Sequence, residues 1–337
     1  MKIFVTGGAG FIGSHTCVEL LNSKHEVLVY DNLSNGSEIA LKRVELISKK
    51  SLQFVNGDIR ESNTLIKIMK NFKPDAVLHF AGLKSVNESA ANPIQYYDVN
   101  VRGTVELLAA MKASDCTKII FSSSATVYGD ASYLPFDELH SLNPTNPYGR
   151  TKLMVEKILE DWVDSGNQNH AICLRYFNPI GAHETGFIGE DSFNTPNNLM
   201  PYILQVVMGH RPHLSIYGDD YPTRDGTGER DYVHVCDLAL GHVRAVEKIY
   251  KLDRFQVLNL GTGIGTTVRE LVDVFQKVSG KTIPIKIAQR RSGDVAQSWA
   301  DPSSANALLG IKFEKTIQDM CLDTWRWQNK NPDGYNY

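Results

Sequence analysis

The stretch "NPYGRTKLMVEK" sets Tyr148 and Lys152 four residues apart at the start of an amphipathic run, so a helix there carries both side chains on one face. A free phenol, with a pKa of about 10, is a poor base at neutral pH. An ammonium beside it favours the phenolate and lowers that value, and such a pair can move protons near neutral pH. The same spacing also describes an ordinary exposed pair on a helix surface. What favours the chemical reading is "FSSSATVYG", which ends an apolar run on the same edge of the expected sheet and offers Ser124 as a hydrogen-bond partner for a substrate oxygen.

The elements that must position these groups are legible as an alternation of short apolar runs with longer amphipathic ones, the sign of βαβ units and a parallel sheet. Strands are expected at "KIFVTG", "EVLVYDN", "LQFVNGD", "AVLHFAG", "KIIFSSS" and "AICLRYF". Helical patterns between them include "IGSHTCVELLNSK", "SNTLIKIMKNF", "YDVNVRGTVELLAAMKAS" and "GRTKLMVEKILEDWVDSG". The expected fold class is α/β, a doubly wound, Rossmann-like parallel sheet whose ligands bind at the carboxyl ends of the strands. Past Phe177 the pattern loosens into the Gly-, Pro- and Asn-rich "NPIGAHETGFIGEDSFNTPNNLMP", followed by further helices and strands. Residues 1–177 are therefore expected to form a dinucleotide-binding unit with the Ser, Tyr and Lys, and residues 178–337 mainly a smaller α/β substrate-binding portion interleaved with it.

Directly after the first expected strand, "TGGAGFIGSH" carries Gly7, Gly10 and Gly13 at three-residue spacing. In that context glycines permit a tight turn, close approach of backbone to a pyrophosphate, and close helix–strand packing, with the helix N-terminus facing the phosphates. The second strand ends in Asp31, about 20 residues on, where a carboxylate accepts hydrogen bonds from an adenosine ribose and repels a 2'-phosphate. The expected cofactor is thus NAD rather than NADP. Asp58 and Ile59, and the run from Phe80 to Lys84, sit at further strand ends where adenine and phosphates can rest. A second glycine run, Gly261, Gly263 and Gly265, has no acid at the end of the next strand and is read as a tight strand–helix turn.

Composition narrows the classes. Hydrophobic residues make up 42% and charged residues 22%, with a formal net charge of −3, so nothing favours disorder or a bulk attraction to nucleic acid or anionic membrane. No apolar run approaches the ~18 residues of a membrane span, and the opening "MKIFVTGG" is not of signal-peptide type, so a cytoplasmic location is expected. The five cysteines, Cys17, Cys116, Cys173, Cys236 and Cys321, are scattered and expected as free thiols. The histidines form no ligand spacing, so no metal is expected, and His79 in a buried-looking strand is read as structural.

Taken together, the glycine fingerprint, the serine-bearing strand end and the YxxxK spacing resemble the extended short-chain dehydrogenase/reductase family along the whole chain. Within it, "SSSATVYG", "PYGRTK", "LRYFNPIGAH", "PNNLMPYI", "GTGERDYVHVCDLA" and "RRSGD" closely resemble UDP-hexose 4-epimerases. The resemblance implies that Tyr148 takes the proton of the sugar 4-hydroxyl, Ser124 orients that oxygen, and tightly held NAD accepts the C4 hydride and returns it to the other face of a transient 4-keto sugar. Lys152 would hold the nicotinamide ribose, and its charge together with that of NAD+ would keep the tyrosine acidic. On the same resemblance the cofactor lies against Gly7, Gly10, Phe11, Ile12, Gly13, Asp31, Asn32, Asn35, Asp58, Ile59, Phe80, Ala81, Gly82, Lys84, Asn100, Ser122, Tyr148, Lys152, Tyr176 and Phe177. The UDP-sugar lies against Lys84, Ser124, Tyr148, Phe177, Asn178, Asn198, Leu199, Ser215, Tyr217, Arg230, Arg291, Asp294 and Ser298, with Arg230 and Arg291 clamping the diphosphate through their forked donors. A homodimer paired through helices near residues 90–113 and 150–164 is implied as well.

One position departs from the pattern. Epimerases restricted to UDP-glucose and UDP-galactose resemble "YWAD" where this chain reads "SWAD", and a serine at position 298 in place of a phenol makes room for an acetamido group. UDP-GlcNAc and UDP-GalNAc are therefore expected as additional substrates. A nucleotide-sugar 4,6-dehydratase is the nearest rival reading, but its two acids would fall on Ala125 and Thr126, neither of which can protonate a leaving hydroxyl. A binding module without turnover is the rival of a different class, set against the presence of Ser124, Tyr148 and Lys152.

Overall fold

A computed structural model describes residues 1–191, 196, 198–291 and 294–335. The strands β1 (Lys2–Thr6), β2 (Glu26–Asp31), β3 (Gln53–Asn56), β4 (Ala76–His79), β5 (Lys118–Ser124) and β6 (His170–Tyr176) pair in parallel. A seventh strand, Phe255–Leu260, adds beside β6, which gives the spatial order Phe255–Leu260, β6, β5, β4, β1, β2, β3. The large sheet thus draws on both halves of the chain. Most of its strands are buried nearly end to end because helices cover both faces. Ile3 and Val5 pack toward the helix α1 (Phe11–Asn22) and the helices Glu38–Ser48 and Val235–Lys248. Phe4 packs the other way, with side chains of Ser62–Phe72, Gly103–Ala113 and Pro147–Asp164.

The strand order reverses between β1 and β4, the place where a doubly wound sheet opens a crevice. Both chains leaving that crevice are held close: a side chain on Gly7 would bring its Cβ to 2.5 Å from the Ala81 nitrogen, and Gly7 also sits at φ +71°.

The rest of the chain is not a detached unit. One residue beyond β6, the strand Asn178–Ile180 enters a small sheet, where it pairs with Glu229–His234, whose other neighbours are Gly265–Thr267 and Gln297–Ser298. The carboxyl end of β6 therefore runs directly into the sheet that carries Arg230 and Ser298. A further parallel pair, Leu214–Tyr217 with Ile285–Ala288, and the helices Leu199–Val207, Val268–Ser279 and Ile317–Lys330 close a separate core around Ile203, Leu271 and Phe275.

The second glycine run lies in the turn after Phe255–Leu260, and its amides are already taken. Asp231, fully buried, accepts from Thr262 N (2.9 Å), Gly263 N (2.9 Å), Ala300 N (3.1 Å) and the Thr262 hydroxyl (2.6 Å). The protein's own carboxylate fills the space an external anion would use, so this turn is structural. No helix of the described residues is long and apolar enough to cross a membrane. The five cysteines are all free, four of them buried.

Candidate active site

The helix Pro147–Asp164 begins under tight local control. Asn146 caps it by accepting from Gly149 N at 2.8 Å, and Pro147 supplies a first residue with no amide to satisfy. Tyr148 and Lys152 then fall one turn apart, facing the end of β5. Lys152 is buried; its ammonium donates to the Ser122 carbonyl oxygen at 2.7 Å and lies 4.8 Å from the Phe121 ring centroid and 5.8 Å from that of Tyr148. Ser124 accepts from Thr126 N (3.2 Å) and from the Thr126 hydroxyl (2.9 Å). With both lone pairs of its oxygen engaged, its own O–H is left to donate, and Ser124 acts on the Tyr148 phenol in the direction that lowers its pKa.

Burial acts on the pair in opposite directions. It pushes the Tyr148 phenol up to about 12, against which the Ser124 hydrogen bond pulls down. It pushes the Lys152 ammonium down to about 8, against which Glu156 pulls up. The lysine's charge is directed at the Ser122 carbonyl, and burial is the largest influence on the phenol.

The glycine turn divides into parts with different reasons. A Cβ on Gly13 would meet the Gly7 carbonyl and lie 2.7 Å from Gly8 Cα, so α1 cannot pack on the sheet with a side chain there. Gly10 is different: extended at φ −81°, its missing Cβ would meet only the Gly7 carbonyl oxygen, at 3.5 Å. Nothing in the protein requires a glycine at that position. Gly10 is also the N-cap of α1, with no side-chain cap and no acid in the first turn, so the opening amides of Phe11 and Ile12 face the crevice end uncompensated. This is a cradle that a Cβ would fill and an anion fits.

Asp31 closes that cradle, accepting Ala9 N (2.9 Å) and Leu33 N (2.8 Å) through separate oxygens and keeping further lone pairs for a ligand; burial raises its pKa, and those two amides lower it. Asn35 is exposed on the following loop. Asp58 is less available. Arg60 engages both its oxygens (2.8 and 2.7 Å) and Asn32 donates a third bond (2.9 Å), which holds the carboxyl well below the usual range, while Ile59 is packed in the core.

Several other positions act behind the crevice. Asn100 accepts from Leu83 N (2.8 Å) and donates to Leu83 O (3.0 Å) and Thr151 (3.0 Å), pinning the loop of Phe80, Ala81, Gly82 and Lys84; a Cβ on Gly82 would meet the Asn100 oxygen at 3.0 Å. Phe80 packs against His242, which also takes the buried Tyr176 hydroxyl as its partner. Ser122 serves Lys152 through its carbonyl, and buried Phe177 packs on Phe136.

On the substrate side, the structure brings Arg230 and Ser298 into register on neighbouring strands, and Asn178 pairs with Tyr232 farther along the strand of Arg230. Arg230 donates to Glu229 O, Val295 O and Ala296 O (2.9, 2.7 and 3.3 Å), so it holds the segment before Ser298 rather than presenting a free clamp. Arg291 is exposed, pairs with Asp294 at 3.0 Å and stacks on Tyr217 at 4.4 Å, with Ser215 on the same strand as Tyr217. Lys84 and Asn198 both reach one carboxylate, Glu190, at 3.1 and 3.4 Å, and Leu199 opens the helix that follows.

Two buried polar features were not singled out by the sequence as functional. His79 bridges Thr6 (2.7 Å) and Thr104 (2.9 Å), and burial pushes it down to about 3, which keeps it neutral. Glu156 pairs with Arg175 beneath the site, and its signal was its position one turn beyond Lys152 on an otherwise apolar helix face. Among the described residues, no cluster of three His, Cys, Asp or Glu side chains is arranged to hold a metal.

A family model described as GDP-mannose 4,6 dehydratase matches residues 4–324. The chain is 52% identical over 335 residues to the UDP-glucose 4-epimerase of Bacillus subtilis (strain 168), covering 99% of both. This chain belongs to the UDP-glucose 4-epimerase family. Its fold matches, at 47% identity and a TM-score of 0.96, the crystal structure of the UDP-glucose 4-epimerase from Stenotrophomonas maltophila with bound NAD and formylated UDP-arabinopyranose, over 98% of this chain and 99% of that one. At the same identity and a TM-score of 0.95 it matches the enzyme from Bifidobacterium longum in complex with NAD+ and UDP, over 99% and 100%. Within the broader dehydratase-type model, this family member carries Ala125 and Thr126 after Ser124, and the Thr126 hydroxyl is bound to Ser124.

Gly10 and Gly13 make a separable pair of tests. Gly10→Ala is expected to unfold within about 1 kcal/mol of wild type but to lose retained dinucleotide, whereas Gly13→Ala is expected to lose about 1–3 kcal/mol of stability. Urea unfolding with quantification of released nucleotide reads both; full dinucleotide retention by a folded Gly10→Ala would contradict the cradle.

Proposed function

We propose that this protein is an NAD-dependent UDP-hexose 4-epimerase that interconverts UDP-glucose and UDP-galactose and also turns over UDP-GlcNAc and UDP-GalNAc. The observation that carries the reading is the juxtaposition of Tyr148 and buried Lys152, whose ammonium is held on the Ser122 carbonyl, with Ser124 at the end of β5, on the same edge of the sheet as the Gly10 cradle. The 52% identity to a UDP-glucose 4-epimerase supports the reaction, and the NAD-bound relatives support the cofactor.

Bound NAD supplies an acceptor and donor of hydride for the sugar C4, and its positive nicotinamide lowers the phenol pKa. Gly7, Gly10, Gly13 and Asp31 would hold its adenosine and phosphate end, and Lys152 its nicotinamide ribose. The chain's own work is proton handling. Tyr148 takes the 4-hydroxyl proton as the carbonyl forms and gives it back as the carbonyl is reduced, while Ser124 orients that oxygen. Epimerisation further requires the sugar to turn while the nucleotide stays fixed, and Arg291, Tyr217 and Asp294 are suited to hold the UDP end.

Ser298 decides the sugar in this reading. It sits half-buried in strand Gln297–Ser298, whose path is fixed by Arg230 and by pairing to Glu229–His234, so the strand presents a small side chain without needing to move. A homodimer is part of the proposal, formed through the helices Pro93–Tyr96, Gly103–Ala113 and Pro147–Asp164, which carry exposed Ile94, Val105 and Met154; so is a cytoplasmic location.

Purified protein is expected to convert UDP-galactose to UDP-glucose, and Tyr148→Phe to lower kcat by at least about 100-fold with UDP affinity nearly unchanged. No conversion by wild type carrying NAD would contradict the reaction. For the sugar, Ser298→Tyr is expected to cut kcat/KM on UDP-GlcNAc by at least about tenfold while sparing UDP-glucose. Wild type that ignores UDP-GlcNAc would overturn the size argument.

A further inference from the structure

Beneath the reacting groups lies a carboxylate that takes no part in the mechanism above. Glu156 is 2% exposed and sits one turn beyond Lys152 on the same helix. One of its oxygens accepts from the Ser123 hydroxyl at 2.5 Å and from Arg175 Nε at 3.0 Å; the other accepts from Arg175 Nη2 at 2.6 Å. Arg175, 3% exposed, comes from β6 and donates through Nη1 to the Tyr128 hydroxyl at 3.1 Å, with its guanidinium 4.9 Å from the Tyr128 ring centroid. The chain of contacts continues from Tyr128 to Asn259 (2.6 Å), from the Asn259 amide to Phe136 O (2.9 Å), and from Phe136 N to Trp299 O (2.9 Å), the residue after Ser298.

We propose that Glu156 is a positioning residue that locks the strand end bearing Ser124 to the helix turn bearing Tyr148 and Lys152. This rests on the assignment of Ser124, Tyr148 and Lys152 as the reacting trio. The geometry is that of a lever. Neighbouring residues of a strand point to opposite faces, so the hydroxyl of Ser123, held by Glu156 on the helix side, fixes the rotation of β5 that aims Ser124. The same carboxylate lies on the helix that carries Tyr148, so the Ser124–Tyr148 distance is set by one buried group touching both elements.

A buried ion pair is weak evidence for stability as such, because a well-packed apolar pair of similar volume often serves as well. What an apolar pair cannot supply is charge. The ionisable groups that act on Lys152 are Glu156 from its own helix and His79 from β4, with Tyr148 one turn away and Arg175 paired to Glu156 behind it. Glu156 is the one acid among them. Removing its charge leaves Arg175 uncompensated nearby, and both changes disfavour the Lys152 ammonium, whose proton is then lost at lower pH.

The test compares wild type, E156Q and S123A, each with its bound dinucleotide, in steady-state kinetics on UDP-galactose across pH 6 to 9.5, roughly the range around neutral and ammonium titration. E156Q is expected to lower kcat by about tenfold or more, to leave KM within about twofold, and to move the alkaline limb of kcat to lower pH. S123A removes one hydrogen bond and leaves the ion pair, so it is expected to lower kcat by a few fold with the alkaline limb in place. An E156Q protein that is folded by thermal melting and keeps wild-type kcat and limb overturns the proposal, and so does S123A with unchanged kcat if E156Q fails to fold. Wild type without turnover contradicts the epimerase reading and this role with it.

Discussion

Desolvation of the Tyr148–Lys152 pair is the constraint on which the rest of the structure depends. The same burial that excludes water drives the phenol toward its neutral form and the ammonium toward its own, about 12 for one and about 8 for the other. Both positions already include the pull of Ser124 on the phenol and of Glu156 on the ammonium. The fold answers with directed contacts: the Ser122 carbonyl on the ammonium, the Ser124 hydroxyl on the phenol, and the Glu156 charge one turn away. Each of the strand-end contacts comes from β5, which is why the register of that strand against the helix Pro147–Asp164 matters more than any single bond.

The crevice at the β1/β4 switch lies at the carboxyl ends of the strands, beside the pair. Gly7 and Gly13 serve the fold, and Gly10 leaves an opening whose only use is to something outside the chain. The two halves of the site meet through the continuity of β6 with Asn178–Ile180, so the cradle and the strand bearing Ser298 are parts of one framework. Where a second glycine turn exists, Asp231 has filled its amides from within, a direct contrast between an anion site kept open and one closed by the protein's own side chain.

Much of this was legible in the sequence, for physical reasons. Strands of a sheet covered on both faces are near-continuous apolar runs, and "KIIFSSS" matched its strand to the residue. Asp31 and the glycines were legible because spacing between a strand and a helix is a local property. The strand Phe255–Leu260 finds its partner in β6 about 80 residues back along the chain, and no local pattern announces that pairing. Partners of long charged side chains were likewise hidden: Lys84 on Glu190, Arg230 on the 295–296 backbone, Asp58 on Arg60. How deeply Tyr148 is buried was hidden for a related reason, since helical spacing gives the neighbours on one face and burial is decided by everything packed around them.

The central claim is that Tyr148 is a phenol in the bare protein frame and a base only with the dinucleotide in place. The most direct measurement is an ultraviolet difference titration of tyrosinate in dinucleotide-loaded wild type and in loaded Tyr148→Phe. The account predicts one tyrosine that ionises well below the ordinary value of about 10 in wild type and is missing from the variant. Titration curves that coincide below that value would contradict it.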